Sequence, residues 1–153
     1  MNVLYHYGPA GELLAETDTQ GRILEAYVFA DSLPVARINF DQDNDGVPDS
    51  VDNCLTVANP NQRDTNHDGY GNLCDPDLNN DGLVNNTDLA LMKAVFYTSN
   101  ADADLNGDGY VNFADLAILK SFYGKPPGPS GLKGQAGPPT VVYLYTDALG
   151  NLR

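Results

Sequence analysis

At 153 residues and a net charge of −13, the chain has the length of one compact domain or two small ones, and it carries no basic patch for nucleic acid. Of its 21 acids, 15 lie between Asp41 and Asp115; all 15 are aspartate, against only Arg63 and Lys93, so this segment alone carries the whole net charge. Solvation of an acidic tail does not demand aspartate alone or a fixed spacing, and no stretch is long and apolar enough to span a membrane. Met1 is not succeeded by a basic and then apolar leader, so the chain is expected to be either a piece of a longer exported protein or one whose export is not readable.

Residues 1–40 alternate as strands do. VLYHY, GELLAETD, QGRILEAYVFA and LPVARINF are separated by Gly-Pro, Thr-Gln-Gly and Asp-Ser turn signals, which predicts β-hairpins. Tyr5, Tyr7, Gly11, Leu13, Gly21 and Tyr27, with Phe29 in place of a last tyrosine, resemble the Tyr-Asp (RHS) repeats of bacterial surface and toxin-delivery shells. The C-terminal VVYLYTDALGNLR resembles the next strand of that family's repeat: Thr146, Asp147, Leu149 and Gly150 match, with Tyr145 and Ala148 at its histidine positions. The resemblance implies hairpins whose apolar faces stack on neighbouring repeats. His6 has no partner legible in the sequence.

From Asp41 to Asp115 one pattern recurs four times: DQDNDGVPDSVD, DTNHDGYGNLCD, DLNNDGLVNNTD and DLNGDGYVNFAD. Each has oxygen-bearing side chains at positions 1, 3, 5 and 9, glycine at 6 and aspartate at 12, the layout of an EF-hand-type calcium loop. A hard dication takes six to eight oxygens, and the turn that folds them around it calls for a residue without a Cβ. The expected ligands are Asp41, Asp43, Asp45, Asp49, Asp52 and the Val47 carbonyl in loop 1, and Asp64, Asn66, Asp68, Asn72, Asp75 and the Tyr70 carbonyl in loop 2. Loop 3 offers Asp77, Asn79, Asp81, Asn85, Asp88 and the Leu83 carbonyl; loop 4 offers Asp104, Asn106, Asp108, Asn112, Asp115 and the Tyr110 carbonyl. Four dications would cancel more than half of the segment's charge, so folding is expected to depend on metal. Loop 2 is expected to be weakest, because Asn66 and Asn72 stand where carboxylates would be stronger. His67, at position 4, is expected on the surface.

Residues 41–75 resemble thrombospondin type 3 repeats. Asp52-Asn53-Cys54, Asn59-Pro60, Gln62, Asp64, Asp68-Gly69, Gly71 and Cys74-Asp75 fall in that family's register. The resemblance implies loops wrapped around ions with little apolar core. Cys54 and Cys74 are the only cysteines; an oxidising, extracellular setting would bridge them, and two buried free thiols are the alternative. Zinc is not expected, since no CxxC pair or second nearby histidine completes a site.

DLNNDGLVNNTDLALMKAVFYT and DLNGDGYVNFADLAILKSFYGK repeat at an offset of 27 and are identical at 11 of 22 positions. Each predicts a helix opened by the loop's last ligand, with Leu89, Met92 and Phe96 on one face, and Leu116, Leu119 and Tyr123 on the other helix's face. This segment, 77–123, resembles a dockerin, the calcium-loaded docking module of cellulosomal enzymes. The resemblance implies a cohesin partner reading Asn86, Thr87 and Lys93 in one repeat and Phe113, Ala114 and Lys120 in the other. Because the repeats differ at these positions, docking would favour one orientation.

PPGPSGLKGQAGPP, from Pro126 to Pro139, holds four Gly-x-y triplets, too few for a collagen-like triple helix; a polyproline-type spacer is expected. The expected organisation is β-hairpins over 1–40, type 3 repeats over 41–76, a dockerin-like helix pair over 77–125, the spacer over 126–139 and a strand over 140–153. The fold class is mixed with little regular structure: calcium-wrapped loops and two short helices inserted in a small antiparallel β-repeat. The expected function is a calcium-binding, extracellular structural or adhesive module, self-assembling or joined to neighbouring β-repeats through its flanks. A cohesin-binding docking module is the alternative. No paired glutamates, Ser/His/Asp set, phosphate loop or open metal site points to an enzyme.

Overall fold

The computed structural model describes residues 2–30 and 33–144. The chain divides into two compact units, residues 1–50 with 137–153, and residues 51–136.

The first unit is a five-stranded antiparallel sheet in the order β1-β2-β3-β4-β5, comprising Leu4–Tyr7, Leu13–Thr17, Ile23–Ala30, Leu33–Asn39 and Thr140–Tyr143. Four strands form a meander with each strand beside its predecessor, as the alternation predicts. β5 then pairs with β4, Ala36 opposite Tyr143 and Asn39 opposite Thr140. The chain between them, from Phe40 to Pro139, is therefore an insertion between two neighbouring strands. Thr146, Asp147, Leu149 and Gly150, with Tyr145 and Ala148, lie outside the described residues.

The β2–β3 turn is built by Asp18. Its carboxylate accepts the N–H groups of Gln20 and Arg22, each at 2.9 Å, and the Arg22 side-chain Nε–H at 2.6 Å. His6 does find a partner: Nε2 lies 2.9 Å from Thr17 Oγ1 on the adjacent strand, a cross-strand pair that depends on register. The sheet has a thin core. Among the described residues, Leu24 and Ala36 are its buried hydrophobic residues, while β1 and β5 are exposed along their whole length.

The second unit holds two helices, α1 over Asn86–Ala94 and α2 over Phe113–Phe122, with short 3-10 turns at Asn72–Cys74 and Gly131–Lys133. Both helices begin two residues before the loop's position 12 rather than at it. Asn85 and Asn112, at position 9, are the N-caps, and Asp88 and Asp115 complete capping boxes from the third helical position. The core gathers Val84, Met92, Ala103, Leu105, Val111 and Leu119, with Leu89, Phe96 and Leu116 packed against it. Each large apolar side chain buried this way contributes about 1.5–3 kcal/mol. Tyr123 is the exception to the predicted face: it caps the end of α2, is largely exposed, and donates its hydroxyl to Asn86 Oδ1 at 2.7 Å.

Val84 and Val111 occupy position 8 of their loops, and each is held by the segment that leaves the other repeat's helix. Val84 bonds Gly124 and Lys125 at 2.8 and 2.9 Å; Val111 bonds Tyr97 and Thr98, both at 2.8 Å. The two repeats thus clasp each other.

Residues 126–136 do not form a free spacer. Gly128 N–H donates to the Cys74 carbonyl, Leu55 N–H to the Pro129 carbonyl and Gly131 N–H to the Asp52 carbonyl, at 2.9, 2.9 and 2.7 Å. Ser130 is fully buried and its hydroxyl donates to the Gly69 carbonyl at 2.7 Å. The segment is a strap across the cysteine-bearing loops. Proline and glycine composition alone does not reveal the carbonyls and N–H groups that receive it.

Candidate metal centres

Backbone geometry makes the four loops one device. The residue at position 6 is left-handed in each, with φ of 86° at Gly46, 91° at Gly69, 88° at Gly82 and 92° at Gly109. Position 4 is left-handed too, at Asn44, His67, Asn80 and Gly107. These are types that tolerate that region, a signal readable in the sequence. The His67 ring is exposed. In every loop the position 6 N–H donates to the position 1 carboxylate, at 2.7 Å for Gly46–Asp41, 3.0 Å for Gly69–Asp64, 2.7 Å for Gly82–Asp77 and 3.0 Å for Gly109–Asp104. The position 7 N–H donates to the position 5 carboxylate: Val47 to Asp45, Tyr70 to Asp68, Leu83 to Asp81 and Tyr110 to Asp108, at 2.8–3.0 Å. The position 5 N–H reaches the position 3 side chain, Asp43, Asn66, Asn79 or Asn106, at 2.9–3.2 Å.

In loop 1, oxygens of Asp41, Asp43 and Asp45 all lie within 4.8 Å of one another. Like charges so close repel by about 3 kcal/mol per pair at an effective dielectric of about 20. Burial, and then the charge of Asp45, push the Asp41 carboxyl above its usual range, although N–H groups of Gly46, Asn44 and Asp45 oppose the shift. Asp75, at position 12 of loop 2, is pushed up to about 7 by burial and then by the charges of Asp68 and Asp77. At Asp41 and Asp75 the surroundings favour the protonated form, the mark of a place short of positive charge.

Position 12 is buried in loops 3 and 4. Asp88 accepts from Asn79 and Asn85, at 3.3 and 2.8 Å, and Asp115 from Asn106 and Asn112, at 3.1 and 2.8 Å. Asp52, position 12 of loop 1, lies in the second unit, where its Oδ1 accepts from Cys54 N–H at 2.8 Å and Gln62 Nε2 at 2.7 Å. Gln62 also takes the Asn53 N–H at 2.8 Å, and Asn59 donates to Asn53 Oδ1 at 2.7 Å. Gln62, Asn59 and Asn53 therefore hold Asp52, a role that the repeat's register alone does not assign to them.

Position 9 has a task besides the one expected. Asn85 and Asn112 present their oxygens to Thr87 and Ala114 N–H, both at 2.7 Å, and their amides to the Leu83 and Tyr110 carbonyls at 2.8 and 2.9 Å. Asp49 and Asn72 accept the position 2 N–H groups of Gln42 and Thr65, at 2.8 and 2.9 Å. In all four loops position 9 holds the loop's own backbone. Nor do asparagines single out loop 2, since Asn79, Asn85, Asn106 and Asn112 occupy the same positions in loops 3 and 4.

Cys54 and Cys74 form a disulfide, both fully buried. Gly71 makes room for it: a Cβ there would lie 2.8 Å from Cys54 Sγ and 2.6 Å from the Asn59 amide nitrogen. Asn86, Thr87, Lys93, Phe113, Ala114 and Lys120 are all exposed; the Phe113 ring meets that of Phe96 edge-on at 5.2 Å.

The donors are carboxylate, amide and carbonyl oxygens, a set that fits a hard dication such as calcium and not a soft metal. Positions 1, 3 and 5 with the position 7 carbonyl, joined in loops 2, 3 and 4 by position 12, are the groups that would hold it. The class this defines is a protein built on EF-hand-like loops. Residues 39–62 match the family model of the thrombospondin type 3 repeat, and residues 75–124 that of the dockerin type I domain. The chain thus carries a thrombospondin type 3 repeat and, after it, a dockerin type I domain, both from calcium-binding families. Cartilage oligomeric matrix protein from Mus musculus is 54% identical over 58 residues, 31% of this chain and 8% of that protein. Thrombospondin-4-B from Danio rerio is 44% identical over 55 residues, 29% of this chain and 6% of that protein. The chain therefore spans less than a tenth of the length of these relatives. The type II cohesin-dockerin domain from Bacteroides cellolosolvens is 39% identical, covering 33% of this chain and 85% of that one, with a TM-score of 0.32. Among the described residues, no helix is long and apolar enough to cross a membrane.

Proposed function

We propose that this chain is a non-enzymatic, calcium-stabilised structural module of an extracellular or cell-surface protein, with one ion in each of the four loops. The observation that carries it is the hydrogen-bond scheme common to all four loops, joined in loop 1 by three carboxylates whose oxygens lie within 4.8 Å of one another. Asp41, Asp43 and Asp45 serve loop 1; Asp64, Asn66, Asp68 and Asp75 loop 2; Asp77, Asn79, Asp81 and Asp88 loop 3; Asp104, Asn106, Asp108 and Asp115 loop 4. Val47, Tyr70, Leu83 and Tyr110 add their carbonyls. Calcium at 100 times its dissociation constant adds about 2.7 kcal/mol per site. Excess EGTA is therefore expected to reduce the helical signal at 222 nm and lower the melting temperature steeply; an unchanged melting curve overturns the proposal.

A second reading is docking to a cohesin-like partner. Exposed Phe113, backed by the Phe96 and Tyr97 rings, stands where the other repeat has Asn86 bonded to Tyr123, so the two ends of the helix pair differ chemically. A cohesin retained by the calcium-loaded chain and released by Lys93→Ala with Lys120→Ala is the expected result for docking; no retention rejects it.

A further inference from the structure

Loops 3 and 4 present the same donors, Asp, Asn, Asp and Asp at positions 1, 3, 5 and 12, and in both the position 6 N–H donates to the position 1 carboxylate. One difference between them is a charged side chain that reaches loop 4 from outside the repeat. Arg63, immediately before loop 2 in the thrombospondin-type segment, reaches the first ligand of loop 4. Its Nη2 lies 3.4 Å from Asp104 Oδ2 and donates to the Ala101 carbonyl at 2.9 Å, while Nη1 donates to the Asp104 carbonyl. The pair is well shielded: the Asp104 side chain is 5% exposed and that of Arg63 27%. Asp77, the counterpart in loop 3, accepts from the N–H groups of Asp81 and Gly82. Among the described residues no lysine or arginine pairs with Asp77, Asp81 or Asp88.

We propose that Arg63 is a tuning residue for the fourth loop, lowering its affinity for a divalent cation below that of the third loop, which has the same set of ligand side chains. This inference rests on the calcium reading of the loops given above. The guanidinium occupies part of the field that Asp104 offers a dication, and a fixed positive charge beside the site repels the incoming one. Positioning cannot be what Asp104 chiefly gains from it. Gly107 and Gly109 N–H groups already hold its two carboxylate oxygens, each at 3.0 Å. Its own N–H bonds the Asn100 carbonyl at 3.0 Å, and Ala103 N–H bonds the Asn100 side chain at 3.0 Å, so the approach to the loop is set without Arg63. Charge therefore outweighs orientation.

The test uses the full chain, calcium alone as the probe, and the amide signals of Gly46, Gly69, Gly82 and Gly109, one per loop, tracked by NMR during calcium addition. In the unmodified chain Gly82 is expected to shift at about tenfold lower calcium than Gly109, a step of about 1.4 kcal/mol. Arg63→Met is expected to bring the Gly109 midpoint to that of Gly82, and Arg63→Lys, which keeps the charge, to restore most of the separation. Coincident midpoints in the unmodified chain, or a Gly109 midpoint that Arg63→Met leaves in place or raises, overturns the inference while leaving the calcium reading standing. Glycine amides that ignore calcium altogether overturn both. Where Arg63→Met fails to fold, Arg63→Gln takes its place with the same expected and overturning results, and coincident midpoints in the unmodified chain overturn the inference without any variant.

Discussion

Asp18 shows how one side chain sets a turn. Burial by itself would push its carboxyl up, but the N–H groups of Arg22 and Gln20 and the Arg22 guanidinium outweigh burial and hold the pKa below the usual carboxylate range. A carboxyl whose folded pKa lies below its unfolded value, about 3.9, contributes stability above that value and loses it as pH falls through the folded pKa. Asp18→Asn is therefore expected to destabilise the sheet most above pH 4, with the gap to the unmodified chain closing as pH falls further. Recording the sheet signal near 215 nm over that range checks it; a gap that widens in acid contradicts it. Asp18 ahead of Thr-Gln-Gly marks this turn in the sequence, but the arginine that completes it becomes visible only in the fold.

Among the elements, the helices depend on residues whose spacing reads as that of ligands. Asn112 takes the Ala114 N–H, donates to the Tyr110 carbonyl at 2.9 Å and lies 3.1 Å from Asp108 Oδ2. The amides of Asn106 and Asn112 keep the exposed Asp108 carboxyl below its usual pKa range. Asn112→Ala is expected to cost about 1–2 kcal/mol as the cap is lost, and Asn112→Asp, which can still cap, much less. Thermal melts of both check the cap, and a calcium titration of Asn112→Ala followed at the Gly109 amide separates the two roles: a lowered melting temperature with an unchanged midpoint marks a cap, and a raised midpoint would show position 9 acting as a ligand. Tyr97 gives a second view of the repeat. It is left-handed at φ 62°, and its counterpart 27 residues on is Gly124, at φ 79°. One repeat meets that backbone with glycine, while the other holds a tyrosine there through ring contacts with Phe96 and Phe113, at 4.8 and 6.4 Å.

For the whole molecule, the contrast lies between the two units. Residues 51–136 have the apolar core of the helix pair, the disulfide, the strap and a lattice of polar bonds, including Thr65 Oγ to Asp102 at 2.6 Å and the Asn72 amide to the Ala101 carbonyl at 3.0 Å. The second thrombospondin-type loop and the two dockerin-type loops are one body there. The sheet has only Leu24 and Ala36 as buried hydrophobic residues among those described, while Leu4, Tyr5, Tyr7, Val141, Val142 and Tyr143 are exposed on its edge strands. Open edges with such side chains favour pairing with another strand. Self-association through these edges is expected, giving concentration-dependent species on a sizing column in calcium. Lysine at Tyr5 and Val142 is expected to return the chain to monomer; a monomer at every concentration counts against assembly through the sheet.

The loops were legible in the residues alone, because a dication's demand for oxygens at fixed intervals and for glycine at the tight turn is a local constraint written at consecutive positions. The strands of the meander and the two helices were legible for the same reason, since their side-chain periods are local. Folding in three dimensions was needed for whatever depends on residues far apart in the chain: β5 beside β4 across the insertion, the strap on the cysteine-bearing loops, and each repeat's exit clasping the other's valine. Arg63 on Asp104 belongs with these, since an arginine's partner is chosen by where the fold leaves a buried carboxylate within reach. The capping task of position 9 lay between the two, for an asparagine there satisfies a ligand pattern and a helix start equally well until the direction of its oxygen is known.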